Sequence, residues 1–233
     1  MKAKSDLLTS IRQKSEPAKT GQVRRATVRM PAAERREQIL KKAFEFFSEY
    51  GLTAQTRGLA EACGVSQRLL YSVFPNKSAL INAVYETEIA GVFKAVWFIQ
   101  LRDRSKPMEQ RLNEFYREYY SAVVTRRWMR LFLYASLAEV EIAPTYIASI
   151  VMHLLETLME EAVHEAGLCM PEDHAQLQEI GWILHGAVSH LAIRRHIYHD
   201  KTPFAAEKVI EMQVKSFLGG LKALLPADIK YIA

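Results

Sequence analysis

Apolar residues along the chain recur almost everywhere at helical spacing. Ile39, Ala43, Phe44, Phe47 and Tyr50 follow one another at the short intervals of a helix face, and Gly51 stops the run. Two short segments come next, 56–63 and 67–74, parted by Gly64 and closed by Pro75. Beyond residue 76 the pattern predicts long helices separated by breakers. The first spans 77–102. A second opens at Pro107 and carries Leu112, Phe115, Tyr119 and Val123. A third covers 126–140, and a fourth opens at Pro144 and ends near Gly167. The longest covers 172–199, and Pro203 starts the last. No useful stretch alternates with the period of a strand. The expectation is an all-α protein of about nine helices.

Composition changes little in this picture. Of 233 residues, 49% are hydrophobic and 24% charged, which fits a globular chain. Charge is more informative. Residues 1–30 carry eight Lys or Arg against Asp6 and Glu16, a net +6, so the net +5 of the chain leaves the rest at −1. That segment lacks apolar periodicity and reads as a flexible basic arm, suited to a polyanion or simply solvated. Two cysteines, Cys63 and Cys169, make neither a disulfide framework nor a zinc site and suit a reducing cytoplasm. No uninterrupted apolar run reaches the ~18 residues of a membrane span, and no signal peptide is visible, so no membrane partner is expected.

Seven histidines raise the question of a metal. His196 and His199 share a helical face, but no HExxH pattern or nearby carboxylate completes a site, and no metal or cofactor is expected. Neither a Gly-x-Ser-x-Gly elbow nor a phosphate loop is present. No catalytic residue is assigned and no enzyme is expected.

The informative stretch is Gly51–Leu80, GLTAQTRGLAEACGVSQRLLYSVFPNKSAL. It has the physics of a helix-turn-helix within 55–74. Thr56 is placed to cap the first short helix and Ser66 the second. Leu59, Ala60, Leu70 and Phe74 point inward, Val65 plugs the gap, and Gly64 permits a left-handed turn. Gln67, Arg68, Tyr71 and Ser72 are left on the outer face, where base edges and phosphates would lie. Gly58 sits inside the first short helix at a cost of up to ~1 kcal/mol relative to Ala, either for backbone approach to a phosphate or by tolerance.

The pattern Ile39-Leu40, Ala43, Phe47, Gly51, Thr56, Leu59-Ala60, Gly64-Val65-Ser66, Leu70-Tyr71, Phe74, Lys77 and Leu80 resembles the DNA-binding domain of the TetR family of bacterial transcription regulators. The resemblance covers about 33–93, with 51–60 one residue shorter than the commonest family spacing. Beyond the basic arm at 1–30, it implies a DNA-binding domain at 31–80 and a helical regulatory and dimerisation domain at 81–233. DNA contacts are then expected from Thr56, Arg57, Ser66, Gln67, Arg68, Tyr71, Ser72 and Lys77. Arg68 and Gln67 would read base edges, while Thr56, Arg57 and Lys77 would hold phosphates. The family's C-terminal domain usually encloses a small-molecule pocket, for which Phe115, Tyr119, Phe132, His153, Trp182 and His185 are candidates beside a role as plain core.

Its last two long helices usually form a dimer. The helix at 172–199 is apolar on more than one side, with Gly181 and Gly186 offering close approach. The expected function is a cytoplasmic, nucleoid-associated homodimeric repressor on a palindromic double-stranded operator, released by a small apolar or aromatic effector. The alternative is a DNA-binding architectural or cell-division factor of the same fold, with a protein partner and no small ligand.

Overall fold

The computed structural model describes residues 30–227, and all but the last residue of the basic arm expected at 1–30 lies outside them. Residues 32–227 form one compact unit. It contains α1 (Ala32–Tyr50), α2 (Thr56–Ala62), α3 (Gln67–Val73), α4 (Lys77–Val84), α5 (Val96–Leu101), α6 (Met108–Ala122), α7 (Arg126–Leu137), α8 (Ile142–Tyr146), α9 (Met152–Ala166), α10 (His174–His196) and α11 (Ala206–Leu224). Two π-helical stretches, Tyr85–Ala90 and Ile147–Val151, extend α4 and join α8 to α9. No strand occurs among the described residues beyond one bridge between Leu168 and Ala227. The fold is all-α, as expected.

The buried stripe of α1, Ile39, Leu40, Ala43 and Phe47, packs on α2, α4 and α7. Gly51 ends the helix at φ +77°, its amide donating to the Phe47 carbonyl. Gly64, at φ +67°, makes the turn between α2 and α3. Asn76 starts α4 by accepting a bond from the Ala79 amide at 2.8 Å.

Several boundaries differ from the sequence pattern, among them α7, which ends at Leu137, and α10, which spans His174–His196. The helix expected across 77–102 breaks after its π turn. A Cβ on Gly91 would stand 2.6 Å from the Glu86 carbonyl oxygen, so the helix ends where only hydrogen fits. The fourth helix begins at Ile142 rather than at Pro144, whose missing amide is tolerated within a first turn. The last begins at Ala206, three residues after Pro203.

The span Ile142–Ala166 is long and apolar enough to cross a membrane by length and composition, with half of its most apolar window buried. Here it is a core element, packed on α10 and α5. An ion cluster around the buried Arg111 ties α6 to α9. Arg111, 1% exposed, reaches Glu161 and Glu165 at 3.0 Å each and the Leu101 carbonyl. Glu165 also accepts from the Met108 amide, placing a carboxylate at the positive end of α6.

Candidate nucleic-acid interface and effector cavity

The turn at Gly64 sets α3 across α2 with its inner side held by Leu70 and the following Phe74, both buried. Val65 packs half-buried against the same core. Ser66 caps α3, accepting from the Leu69 amide at 3.1 Å. Its hydroxyl is therefore occupied in shaping the helix. Gln67, Arg68, Tyr71 and Ser72 are all exposed on the outer side of α3. Gln67 and Arg68 make no side-chain hydrogen bond or ion pair among the described residues, so their donors are available to a partner. Ser72 spends its hydroxyl proton on the Leu69 carbonyl at 2.8 Å.

The two residues opening α2 behave differently from their sequence reading. Gln55, not Thr56, holds the cap position, and no side chain caps the helix. Thr56 lies one residue inside, where its oxygen accepts from the Tyr71 hydroxyl at 3.2 Å. That bond joins α2 to α3 and fixes the Tyr71 ring on the outer face. Arg57 is exposed and pairs loosely with Glu61 at 3.2 Å on the same helix. Lys77 donates to the Ala54 carbonyl at 2.8 Å, and partial burial lowers its pKa. It thus anchors the loop before α2 as well as standing near the interface. A Cβ on Gly58 would stand 3.4 Å from the Phe46 ring, an ordinary contact, so packing of α2 on α1 does not require a glycine here. Cys63 is buried beside the Ile39 carbonyl, and burial pushes its thiol up to about 11, which suits a structural thiol.

Behind this unit α7 presents two faces. Arg126, Arg127, Arg130 and Tyr134 recur at helical spacing on one of them and dock on the end of α1. Arg126 pairs with Glu49 at 3.3 Å and Arg127 with Glu45 at 3.4 Å. Arg130 donates from Nε to the Ser48 carbonyl at 2.6 Å and from Nη2 to the Glu49 carbonyl at 2.8 Å. Tyr134 lays its ring over Gly51, 3.5 Å from where a Cβ would be. None of these clamp residues was singled out from sequence, although the Arg-Arg-x-x-Arg-x-x-x-Tyr spacing carries the signal.

The other face of α7, Trp128, Met129, Phe132 and Leu133, lines a cavity of about 140 Å³. Tyr119, Trp182 and His185 meet there with Phe132, as the sequence reading grouped them. Tyr146 and Ser189 also line it and were missed. Phe115 lies one layer behind, its ring 5.6 Å from that of Tyr119, and does not reach the cavity. His153 is not part of it either. Its side chain is half exposed on α9, beside Phe98 and 3.8 Å from Glu156, because its helix turns the opposite side to the core. His185 is 2% exposed, and burial holds its pKa down at about 4. The Tyr119 and Tyr146 phenols are pushed well above the usual tyrosine range by the same cause. Among the described residues no group of three or more His, Cys, Asp or Glu side chains could hold a metal ion.

On the outside of α10 and α11 runs a second, open groove of about 380 Å³, almost wholly apolar. Ile183, Met212 and Leu224 line it at 53%, 57% and 47% exposure. A Cβ on Gly186 would meet nothing within 4 Å, whereas at Gly181 a Cβ would stand 3.0 Å from Leu155 on α9. Gly181 therefore serves packing within the subunit and not the outer face to which the sequence reading assigned it.

Residues 39–84 match the family model of bacterial regulatory proteins of the tetR family. No curated protein matches the sequence. Among solved structures, a TetR-like transcriptional regulator from Rhodococcus is similar at TM-score 0.63 and 20% identity, over 82% of this chain and 100% of its own. A TetR-family regulator from Mesorhizobium loti is similar at TM-score 0.60 and 14% identity, over 85% and 100% of the two chains. The Thermus thermophilus regulator PfmR is similar at TM-score 0.56 and 20% identity, over 78% and 98%. These likenesses concern the fold.

Proposed function

Since the chain carries a TetR-family DNA-binding domain on a TetR-type fold, we propose that it is a homodimeric transcription repressor released from a palindromic operator by a small apolar or aromatic effector. What carries the DNA-binding reading is the outer edge of α3. Gln67 and Arg68 stand exposed at its start with their hydrogen-bonding groups uncommitted, on a helix fixed by the Gly64 turn and the Ser66 cap. Residues at that place on a second helix reach base edges in the major groove. Tyr71, Ser72, Arg57 and Lys77 flank them as phosphate or sugar contacts, and Thr56 and Ser66 hold the two helices in register.

Release by a ligand is supported by α7, which walls the cavity with one face and clamps α1 with the other. A molecule that favours one placement of α7 changes the placement of the DNA-reading helices, and operator affinity changes by linkage. The cavity favours this reading over the architectural alternative, which needs none. The apolar groove on α10 and α11 is the dimer face, covered by the same face of a second copy. We divide the chain at about residue 80 into DNA-binding and regulatory domains, and a DNA-bound cytoplasmic protein follows.

Selection of bound sequences from a random duplex pool, followed by footprinting, tests the proposal. A two-fold symmetric site with half-sites about one helical turn (~34 Å) apart supports it. Recovery of sequences with no shared motif, bound equally by wild type and Arg68→Ala, would overturn it.

A further inference from the structure

The cavity's lining specifies more than a small apolar guest. We infer that it takes a neutral, single-ring aromatic molecule bearing one hydrogen-bonding group, of the phenol class, with that group set against His185. The inference rests on the effector reading above for its biological consequence, though not for the binding itself.

Size comes first. At about 140 Å³ the space matches a known engineered protein cavity of ~150 Å³ that holds benzene, so one ring fits and two do not. Shape follows from the walls. Trp128 and Phe132 lie stacked at 4.7 Å and 12°, with Tyr146 edge-on to both at 5.2 and 5.8 Å. Flat aromatic walls met by an aromatic edge favour a planar guest over a branched aliphatic one.

Polarity narrows the class further. Nδ1 of His185 is buried with no hydrogen-bond partner. An unmet buried polar atom is costly, and a guest that meets it recovers that cost on binding. No Lys, Arg, Asp or Glu lines the cavity. Burial also keeps His185 neutral near pH 7, its pKa lying at about 4. A carboxylate or an ammonium entering here would therefore lose its water without gaining a counter-charge. A hydroxyl asks for no counter-charge, and His185 can serve it as acceptor or donor. The half-buried Leu133, Trp182, Ser189 and Ile193 mark the side on which the guest would enter.

The test is calorimetric titration of the full-length protein at pH 7.5 with phenol, toluene and benzoate. Phenol should bind, toluene about tenfold or more weakly, and benzoate not at all over the same range. In His185→Leu, phenol and toluene should bind within about twofold of each other. Should that variant fail to fold, Ser189→Phe at the rim should abolish phenol binding while the far-UV spectrum is retained. Benzoate binding as tightly as phenol, toluene equal to phenol in the wild type, no binding of phenol, or phenol binding unchanged in Ser189→Phe would each overturn the inference. Operator affinity measured in parallel separates the two levels. Phenol that binds without moving operator affinity leaves the ligand class standing and removes the effector reading. A different molecule that releases DNA from a protein that ignores phenol does the reverse.

Discussion

Arg130 on α7 donates through Nε to the Ser48 carbonyl at 2.6 Å, capping the end of α1 with a guanidinium. The same side chain reaches the Glu49 carbonyl and lies 5.3 Å from the Tyr134 ring that covers Gly51. The last carbonyls of a helix have no partner within it, and a cation there also meets the negative end of the helix dipole. One residue thus joins the wall of the cavity to the first helix of the DNA-reading unit.

Arg130→Met keeps the length and apolar contact of the side chain and removes its donors. Stability should fall by about 1.5–3 kcal/mol, the usual range for hydrogen bonds from a charged group. Coupling should fall as well: the ratio of operator affinities without and with saturating effector should shrink toward one. Paired anisotropy titrations on wild type and variant measure it. A variant that retains the full ratio would place the coupling elsewhere, in the contact of Trp128 with the Ile89 carbonyl of the π turn.

Gln67→Ala and Arg68→Ala should each lose about 1–3 kcal/mol of discrimination between the selected operator and scrambled duplex, the range for a bidentate base contact. Arg57→Ala should instead weaken binding to both duplexes alike and reduce the salt dependence by about one phosphate contact. Equal losses on both duplexes for Arg68→Ala would assign that residue to the backbone.

The helix-turn-helix was legible because its constraints are local. Gly64 is needed for a positive φ, Ser66 for a cap, and Leu70 and Phe74 lie four apart on one face. Features set by distant partners were not legible. Gly181 is explained by Leu155 on another helix, and the role of Thr56 by Tyr71. The cavity was half readable. Tyr119, Phe132, Trp182 and His185 were recognisable as large or polar groups in apolar runs, but the same criterion also selected Phe115 and His153. Periodicity gives a face of a helix, not the layer in which that face ends.

Burial of His185 makes stability depend on acid. The rings of Tyr116, Tyr119 and Trp182 surround it at 6.1, 5.3 and 5.4 Å, and none offers a counter-charge. Its pKa lies at about 4 in the fold against 6.5 unperturbed. Between these values the unfolded chain binds the proton and the native protein does not, so stability falls as pH drops from about 6.5 to 4. The loss from this group should be on the order of 3 kcal/mol. Urea denaturation of wild type and His185→Leu across this range checks it: the difference in slope between the two should vanish above pH 7. Parallel curves throughout would mean that His185 titrates in the fold as it does in the unfolded chain.

The two glycines of α10 should separate folding from assembly. At Gly181 a Cβ would press on the Leu155 Cβ at 3.0 Å, an atom that cannot swing aside, so Gly181→Ala should destabilise the fold despite better helix propensity, by about 1–3 kcal/mol. Gly186 meets nothing within 4 Å in its own subunit, so Gly186→Ala should leave the isolated chain as stable or up to ~1 kcal/mol more so. Assembly should respond to the apolar groove instead. Ile183→Glu with Met212→Glu places two carboxylates on a face that a second copy would bury, where an unpaired charge is costly. The double variant should sediment as a folded monomer and lose tight operator binding, because one recognition helix then reads one half-site. A wild-type protein that sediments as a monomer at micromolar concentration would refute both the groove as interface and the two-half-site mechanism.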